Sequence, residues 1–336
     1  MDKPHYTVVG IDVSKAVLDV SASGDGTRSE TARFDNDAAG HRKLCAWLTK
    51  RGRAARVVLE ATGTYSLDVA LALAATPRIE VMVANPRAVK HFAGALLQRS
   101  KTDLTAAVAL REFAERMPFV RWQPPPAAVV ELRGIARRIA ALVVERTREH
   151  NRLHASEASA TSAAVVLNDI AVNLRHLERR IERLTVEAVA RIGGQADLQR
   201  AFERLTSVPG IATASAIQLL PELLVLPAEM TVRQWVAHAG LDARAHQSGT
   251  SVDKPARISK VGNAHIRRAL FMPALVAVRF DPHAKAFFDA LIARDKKPLQ
   301  AYVAVMRKLL HSIYGMLKHD LDFDGEKFRA SAACAA

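Results

Sequence analysis

The chain has 336 residues, enough for two domains and a connector, each burying its own core. A net charge of +14, from 48 Lys and Arg against 34 Asp and Glu, makes a polyanion the expected partner. Two cysteines, Cys45 and Cys334, are too few for a disulfide framework or a thiolate zinc site, and no apolar run reaches the roughly 20 residues of a membrane span. No membrane partner is therefore expected. The opening MDKPHYTVVG lacks a signal-peptide pattern, which with the free thiols fits a reducing cytoplasm. Aromatic residues are only 5%, which argues against an extended base-stacking platform.

From residue 6 to about 116, strand-like and helix-like patterns alternate. YTVVGID and AVLDVSAS read as a hairpin about the turn VSK, and TARFDN as a third strand. A helix is expected over 37–50, with Leu44, Trp47 and Leu48 on one face. RVVLEAT is a short buried strand, SLDVALALAA a helix, IEVMVAN a strand stopped by Pro86, and RAVKHFAGALLQ a helix again. This is the order of a mixed sheet covered by helices, a ribonuclease H-like order. Asp12 ends the first strand, Glu60 ends a later one, and Asp103 opens a helix after the basic turn RSKTD, which contains Lys101. Carboxylates at the ends of buried strands are costly unless they converge on a cation. Three placed in this way meet the needs of a Mg²⁺-dependent phosphodiester enzyme. One helical turn past Asp103 a further acid would face the same ion, but that position is Ala106.

PFVRWQPPPAA is a linker, because its prolines cannot continue a helix. Beyond it Val129, Leu132, Ala136, Ile139 and Val143 repeat at alternating spacings of three and four, as do Ile170, Leu174, Leu177, Ile181, Leu184 and Ala188. With the small, polar ASEASATSAA between them, these runs predict an antiparallel helical hairpin or an oligomerising coiled coil, or two ordinary amphipathic helices on a globular core. His150 and His154 lack a third convergent ligand and read as solvated surface residues. LTSVPGIATASAIQLL reads as helix, tight turn, helix; its Pro209-Gly210 turn is either a helix-hairpin-helix phosphate clamp or a plain connection.

The segment LDARAHQSGTSVDKPARISKVGN is long, basic and poor in apolar residues, and is expected to be a functional surface loop. Gly249 would let a phosphate approach the Ser248 hydroxyl, with Arg244, Lys254, Arg257 and Lys260 available to hold it. Thr250 and Ser251 compete for the nucleophile's role, and a plain Ser-Gly turn is the bland alternative. In the following HIRRALFMPALVAVRF, Arg267 and Arg268 either reach backbone phosphates or solvate their helix. The last amphipathic helix, LQAYVAVMRKLLHSIYGMLKHD, reads as structural.

These motifs together resemble a known family. GIDVSK with Asp12, LEATGTY with Glu60, VANP with Pro86 and KTD with Asp103 are similar to the N-terminal half of the DEDD-type insertion-sequence-110 transposases. SVPGI, HAGLDARAHQSGTS, RISKVGNAHIRRALFMPALVAVR, AFF and MRKLL are similar to the C-terminal half, in order and over nearly the whole chain. The resemblance implies α/β plus all-α architecture: a RuvC-like domain over 1–120, a linker and coiled-coil or helical hairpin over 121–195, a helical transposase domain over 196–325, and a disordered tail over 326–336. It implies Mg²⁺ on Asp12, Glu60 and Asp103, with Ser248 as nucleophile. The family's fourth acid would be the second Asp of K-T-D-x-x-D-A, where this chain reads KTDLTAA, so Ala106 is a departure that bears on metal binding and cleavage. Implied partners are donor and target DNA, a guide (bridge) RNA and further copies of the chain as dimer or tetramer, in a bacterial cytoplasm at the nucleoid. Two alternatives remain: a junction resolvase in which water attacks, and a catalytically dead RNA/DNA-binding scaffold. A sugar-kinase-like ATPase is discounted, because Val13-Ser14-Lys15 is not a glycine-rich phosphate turn.

Overall fold

A computed structural model describes residues 6–23, 29–61, 63–96, 102–248 and 252–326. The chain divides into two compact units, Met1–Pro124 and Pro125–Ala336. Lys101, Thr250, Ser251, Cys334 and nearly all of the expected tail lie outside the described residues, as do the side chains of Ser248 and Lys254.

The first unit is built on a five-stranded sheet in the order β3-β2-β1-β4-β5. β1 (Tyr6–Val13), β2 (Val17–Ser23) and β3 (Ser29–Asp35) form an antiparallel meander. β4 (Ala54–Glu60) and β5 (Ile79–Ala84) add in parallel on the other side of β1. Parallel strands need covered faces, and side-chain alternation divides the cover cleanly. Val9 and Ile11 of β1, with Val57 and Leu59 of β4, pack beneath α1 (Ala38–Leu48) and α2 (Thr64–Ala74). Val8 and Val58, of the opposite parity, pack with α3 (Pro86–Ala95) and α4 (Asp103–Arg116). The helices start where local chemistry predicts: Asp37 caps α1 by accepting from the Gly40 N–H, and Asn85 caps α3 ahead of Pro86.

Gly10 explains how closely α4 lies on β1. A Cβ at Gly10 would stand 2.1 Å from the Ala107 carbonyl oxygen and 2.3 Å from the Arg111 nitrogen. The helix backbone therefore rests on the strand backbone, which only glycine allows. Leu110, Phe113 and Ala114 continue onto Val8, so α4 runs back along β1 with its N-terminus toward the strand's end. Trp122 then ties the extended proline-rich segment to the sheet by donating its backbone N–H to the Val81 carbonyl at 2.6 Å.

Among the described residues, the second unit is helical apart from one hairpin. α5 (Ala127–Glu157) and α6 (Ala164–Gly193) form the expected antiparallel pair. Arg191 meets Glu131 near the open end, and Asn173 donates to Glu149 nearer the turn. Val129, Leu132, Ala136 and Ile139 at the start of α5, with Ala188 and Ile192 of α6, share one core with the helices that follow. These are α7 (Ala196–Ser207), α8 (Thr213–Leu224), α9 (Val232–Ala239), α10 (Ala264–Phe280), α11 (Pro282–Ile292) and α12 (Pro298–His319). The SVPGI turn joins α7 to α8 with Gly210 at φ +91°, where a Cβ would lie 2.4 Å from the Pro273 carbonyl oxygen of α10.

The expectation of a loop over 241–263 is corrected. β6 (Ala243–Ser248) and β7 (Val252–Ile258) form an antiparallel hairpin with an irregularity between Arg244 and His246. The sequence hides it because neither strand alternates apolar with polar residues and Pro255 lies within one of them. No described helix is long and apolar enough to cross a membrane.

The two glycine environments make opposite predictions. Gly10→Ala is expected to cost at least about 2 kcal/mol through helix–strand overpacking. Gly134→Ala in α5, where a Cβ would meet nothing within 4 Å, should gain about 1 kcal/mol from helix propensity. Urea unfolding of both variants beside the parent reads the two signs.

Candidate catalytic and nucleic-acid site

In the first unit, the parallel register of β1 and β4 pairs Ile11 with Leu59. The next residues along the two strands are Asp12 and Glu60. Alternation places both on the face that carries Val8, Gly10 and Val58, beneath α3 and α4. Both acids are half-buried, and each has a partner within the fold. Asp19 stands opposite Asp12 in the antiparallel register of β1 and β2, and is held by Arg33 at 3.4 Å.

Asp103 is the first residue of α4 and is exposed. Thr102 caps it reciprocally with Thr105: the Thr105 N–H donates to Thr102 Oγ1 at 3.2 Å, and the Thr102 N–H to Thr105 Oγ1 at 2.8 Å. Helical spacing puts Asp103 on one side with Ala106, Ala107 and Leu110, the side that meets the sheet. Ala106 is half-buried, so a methyl occupies the position one turn after Asp103. Among the described residues no three His, Cys, Asp or Glu side chains form a ready metal-binding group. An all-oxygen set led by two neighbouring carboxylates nonetheless fits Mg²⁺, which takes one or two carboxylates and completes its shell with water and phosphate.

In the second unit, Ser248 is the last residue of β6 and pairs with Val252 across the turn. Arg244 and Arg257 stand directly opposite each other on this hairpin, and both are exposed. Like charges in that register repel, so an anion between them relieves a cost built into the ribbon. Lys260 and Arg268 are exposed beside the foot and form no ion pair with a described residue. Arg267 is committed elsewhere: its guanidinium donates to the Ala239 carbonyl at the end of α9, at 2.7 Å.

The foot of the hairpin is fixed by short bonds. Ser259 Oγ donates to Asp242 Oδ1 at 2.5 Å, and the Lys260 N–H to the Gly240 carbonyl at 3.1 Å. Gly240 and Gly262 take positive φ, and a Cβ on Gly262 would lie 2.2 Å from the His238 carbonyl oxygen. Asn263 then caps α10 by accepting from the N–H groups of His265 and Ile266.

Sequence reasoning passed over the residue that joins these parts. Glu222 of α8 is 1% exposed and takes four hydrogen bonds. Arg137 donates through Nε at 2.6 Å and Nη2 at 3.1 Å, Arg133 through Nε at 3.1 Å, and Asn263 through Nδ2 at 2.7 Å. Burial alone would raise its pKa, but the arginine and asparagine donors outweigh burial and hold it at about 2. His238 and His265 are pushed down by burial, reinforced by the nearby arginines against the pull of Glu222. The available signal was a single acid within the apolar run AIQLLPELL.

Comparison with known proteins places both halves of the chain. A model of DEDD-type IS110 transposases matches residues 9–156, which include Asp12, Glu60 and Asp103. A second, for transposases of the IS116/IS110/IS902 family, matches residues 202–289, which include Ser248. A pilin gene-inverting protein of Moraxella bovis is 28% identical over 331 residues, 95% of this chain and 98% of its own length. The protein of that name from Moraxella lacunata is also 28% identical, with the same coverage. An uncharacterized protein of insertion element IS110 from Streptomyces coelicolor is 29% identical over 114 residues, 34% of this chain and 28% of its own length.

The depressed Glu222 carboxyl has a pH consequence. Its folded pKa of about 2 lies below the ordinary 4.5, so its stabilisation is complete above pH 4.5 and disappears as pH falls toward 2. Between about pH 6 and about pH 3 the parent should lose about 2 kcal/mol that Glu222→Gln, lacking this titration, does not. Urea unfolding of both proteins at the two pH values measures the difference.

Proposed function

We propose that this chain, which belongs to the IS110 family of transposases, moves a mobile element by serine attack on DNA phosphodiesters, with sequence choice delegated to a guide RNA. The observation that carries the reading is the strand-end pair Asp12 and Glu60, aligned by the β1–β4 register under the helix that Asp103 opens. The strand order β3-β2-β1-β4-β5 supports a ribonuclease H-like, RuvC-type assignment for the first unit. The name of the Moraxella relatives, which credits them with inverting a gene, is consistent with a protein that rearranges DNA.

Asp12, Glu60 and Asp103 would hold Mg²⁺, which when bound draws charge from the phosphoryl oxygens. The hydroxyl of Ser248 attacks phosphorus: an Oγ–P bond forms, the P–O3′ bond breaks, and the proton ends on the released 3′-hydroxyl. Energy kept in the phosphoester lets the reverse attack rejoin strands without ATP. Arg244, Lys254, Arg257 and Lys260 hold phosphate oxygens around the serine, Arg268 contacts the backbone nearby, and Lys101 would contact nucleic acid in the first unit. A strongly basic chain without a base-reading motif fits recognition by RNA–DNA pairing, in which protein contacts follow the backbone. Exchange between two duplexes calls for at least a symmetric dimer.

Ala106 supports a second reading, a scaffold that binds RNA and DNA without cutting. The two readings separate in one experiment. Ala106→Asp, given the RNA and DNA ends of its own element with Mg²⁺, should raise cleavage at least about tenfold over the parent. Ser248→Ala in that background should abolish the covalent protein–DNA adduct. Equal inactivity of parent and Ala106→Asp would favour the scaffold; an adduct that survives Ser248→Ala would move the nucleophile.

Purification supplies an independent check. The expected outcome is a discrete RNA of defined length that remains with the protein and is released by high salt. Heterogeneous cellular fragments in its place would remove the guided part of the proposal.

A further inference from the structure

The buried Glu222 network belongs to neither the acids nor the serine, yet it stands between the first turns of α5 and the foot of the β6–β7 hairpin. Arg133 and Arg137 approach it from α5, and Asn263 approaches from the start of α10. Asn263 is also bound to the last turn of α9, directly before the hairpin's foot, because its N–H donates to the His238 carbonyl at 2.7 Å. One carboxylate therefore receives donors from two separate elements at once.

Stability alone does not explain such a group. A buried ion pair is often matched by an apolar residue of similar volume, because desolvation offsets most of the attraction. Glu222 lies in a helix whose neighbours Leu219, Leu220 and Leu223 are fully or almost fully buried, a setting that would accept another hydrophobe. Its two arginines keep 31% and 43% of their side chains exposed, so water could satisfy them without the carboxylate. What an apolar side chain cannot supply is direction. The bidentate Arg137 contact and the single bonds from Arg133 and Asn263 fix angles as well as distances.

We infer that Glu222 is a positioning residue, which locks the foot of the serine-bearing hairpin to the long helix α5 so that the hairpin's aim follows that helix. The inference rests on the serine reading above for its catalytic consequence, but the mechanical link stands on the contacts alone. Asn263 transmits the constraint, and Arg133 and Arg137 report where α5 lies. The oxygens of Glu222 are taken up by Arg133, Arg137 and Asn263.

The test measures the link separately from the chemistry. In a full chain with Cys45→Ser and Cys334→Ser, spin labels go on Arg138→Cys in α5 and Ala243→Cys in the hairpin foot, both exposed sites. Pulsed electron resonance then reads the distance distribution between them. Glu222→Met keeps the volume and removes the acceptor. Asn263→Ser keeps a good cap for α10 and removes the donor to Glu222. Both variants should unfold at nearly the parent's midpoint yet show a clearly broadened distribution. In the Ala106→Asp background each should slow serine–DNA adduct formation about 10- to 100-fold, as misplacement of a reacting group does. Distributions as narrow as the parent's in both variants would overturn the link. So would a broadening matched by an equal loss of folded protein, which would make Glu222 merely structural. If Glu222→Met does not fold, Asn263→Ser decides alone. If no protein in the series forms an adduct, the serine reading fails while the distances still judge the link.

Discussion

A carboxylate removed from water must be met by donors, and those donors come at the cost of freedom elsewhere in the fold. Glu222 is such a carboxylate. Its oxygens draw Arg133 and Arg137 out of the repeat of α5 and hold Asn263, whose other contacts start α10 and close the turn behind β7. Gly240 and Gly262 supply the backbone geometry that brings the His238 carbonyl within reach of Asn263. The serine hairpin therefore rises from a foot fixed by several hydrogen bonds.

The first unit solves a different problem with simpler means. Two acids far apart in the chain must stand side by side, and a parallel register with period-two alternation does this without any special contact. The register that pairs Ile11 with Leu59 carries Asp12 and Glu60 forward together. Gly10 then lets α4 settle directly on the strand two residues before Asp12. A side chain at position 10 would lift the helix and take Asp103 with it. The methyl of Ala106 sits on the same side of this helix as the buried Ala107 and Leu110.

Much of this was legible in the sequence, because the signals were periodic or local. The five strands of the first unit follow from β-branched runs and their turns, and the helices after Asp37, after Pro86 and from Asp103 follow from the patterns that open there. The repeats in α5 and α6 left a helical hairpin, a coiled coil or two plain amphipathic helices open, and in the structure Asn173 of α6 donates to Glu149 of α5. The β6–β7 ribbon was not legible. Its residues lack alternation, and a two-stranded hairpin held by backbone bonds leaves no apolar pattern to read. The Glu222 network was hidden for another reason. Its four members lie on three separate stretches of chain, and nothing local in Arg133 or Asn263 indicates a shared acceptor. The inward turn of Arg267 beside the exposed Arg268 was equally invisible, since adjacent residues on a helix look alike until the neighbouring α9 is placed.

The α5–α6 pair also has the proportions of a lever. Its base shares a core with α7–α12 through Val129, Leu132, Ala136 and Ile139, whereas Leu142, Ile170, Leu174 and Leu177 farther out lie outside that core. From Arg137 to the end of α5 at Glu157 the helix extends about 30 Å at its usual rise. A swing of about 6° at the fulcrum then becomes about 3 Å at the far end, and a pull of that size at the far end returns as a small rotation under the arginines.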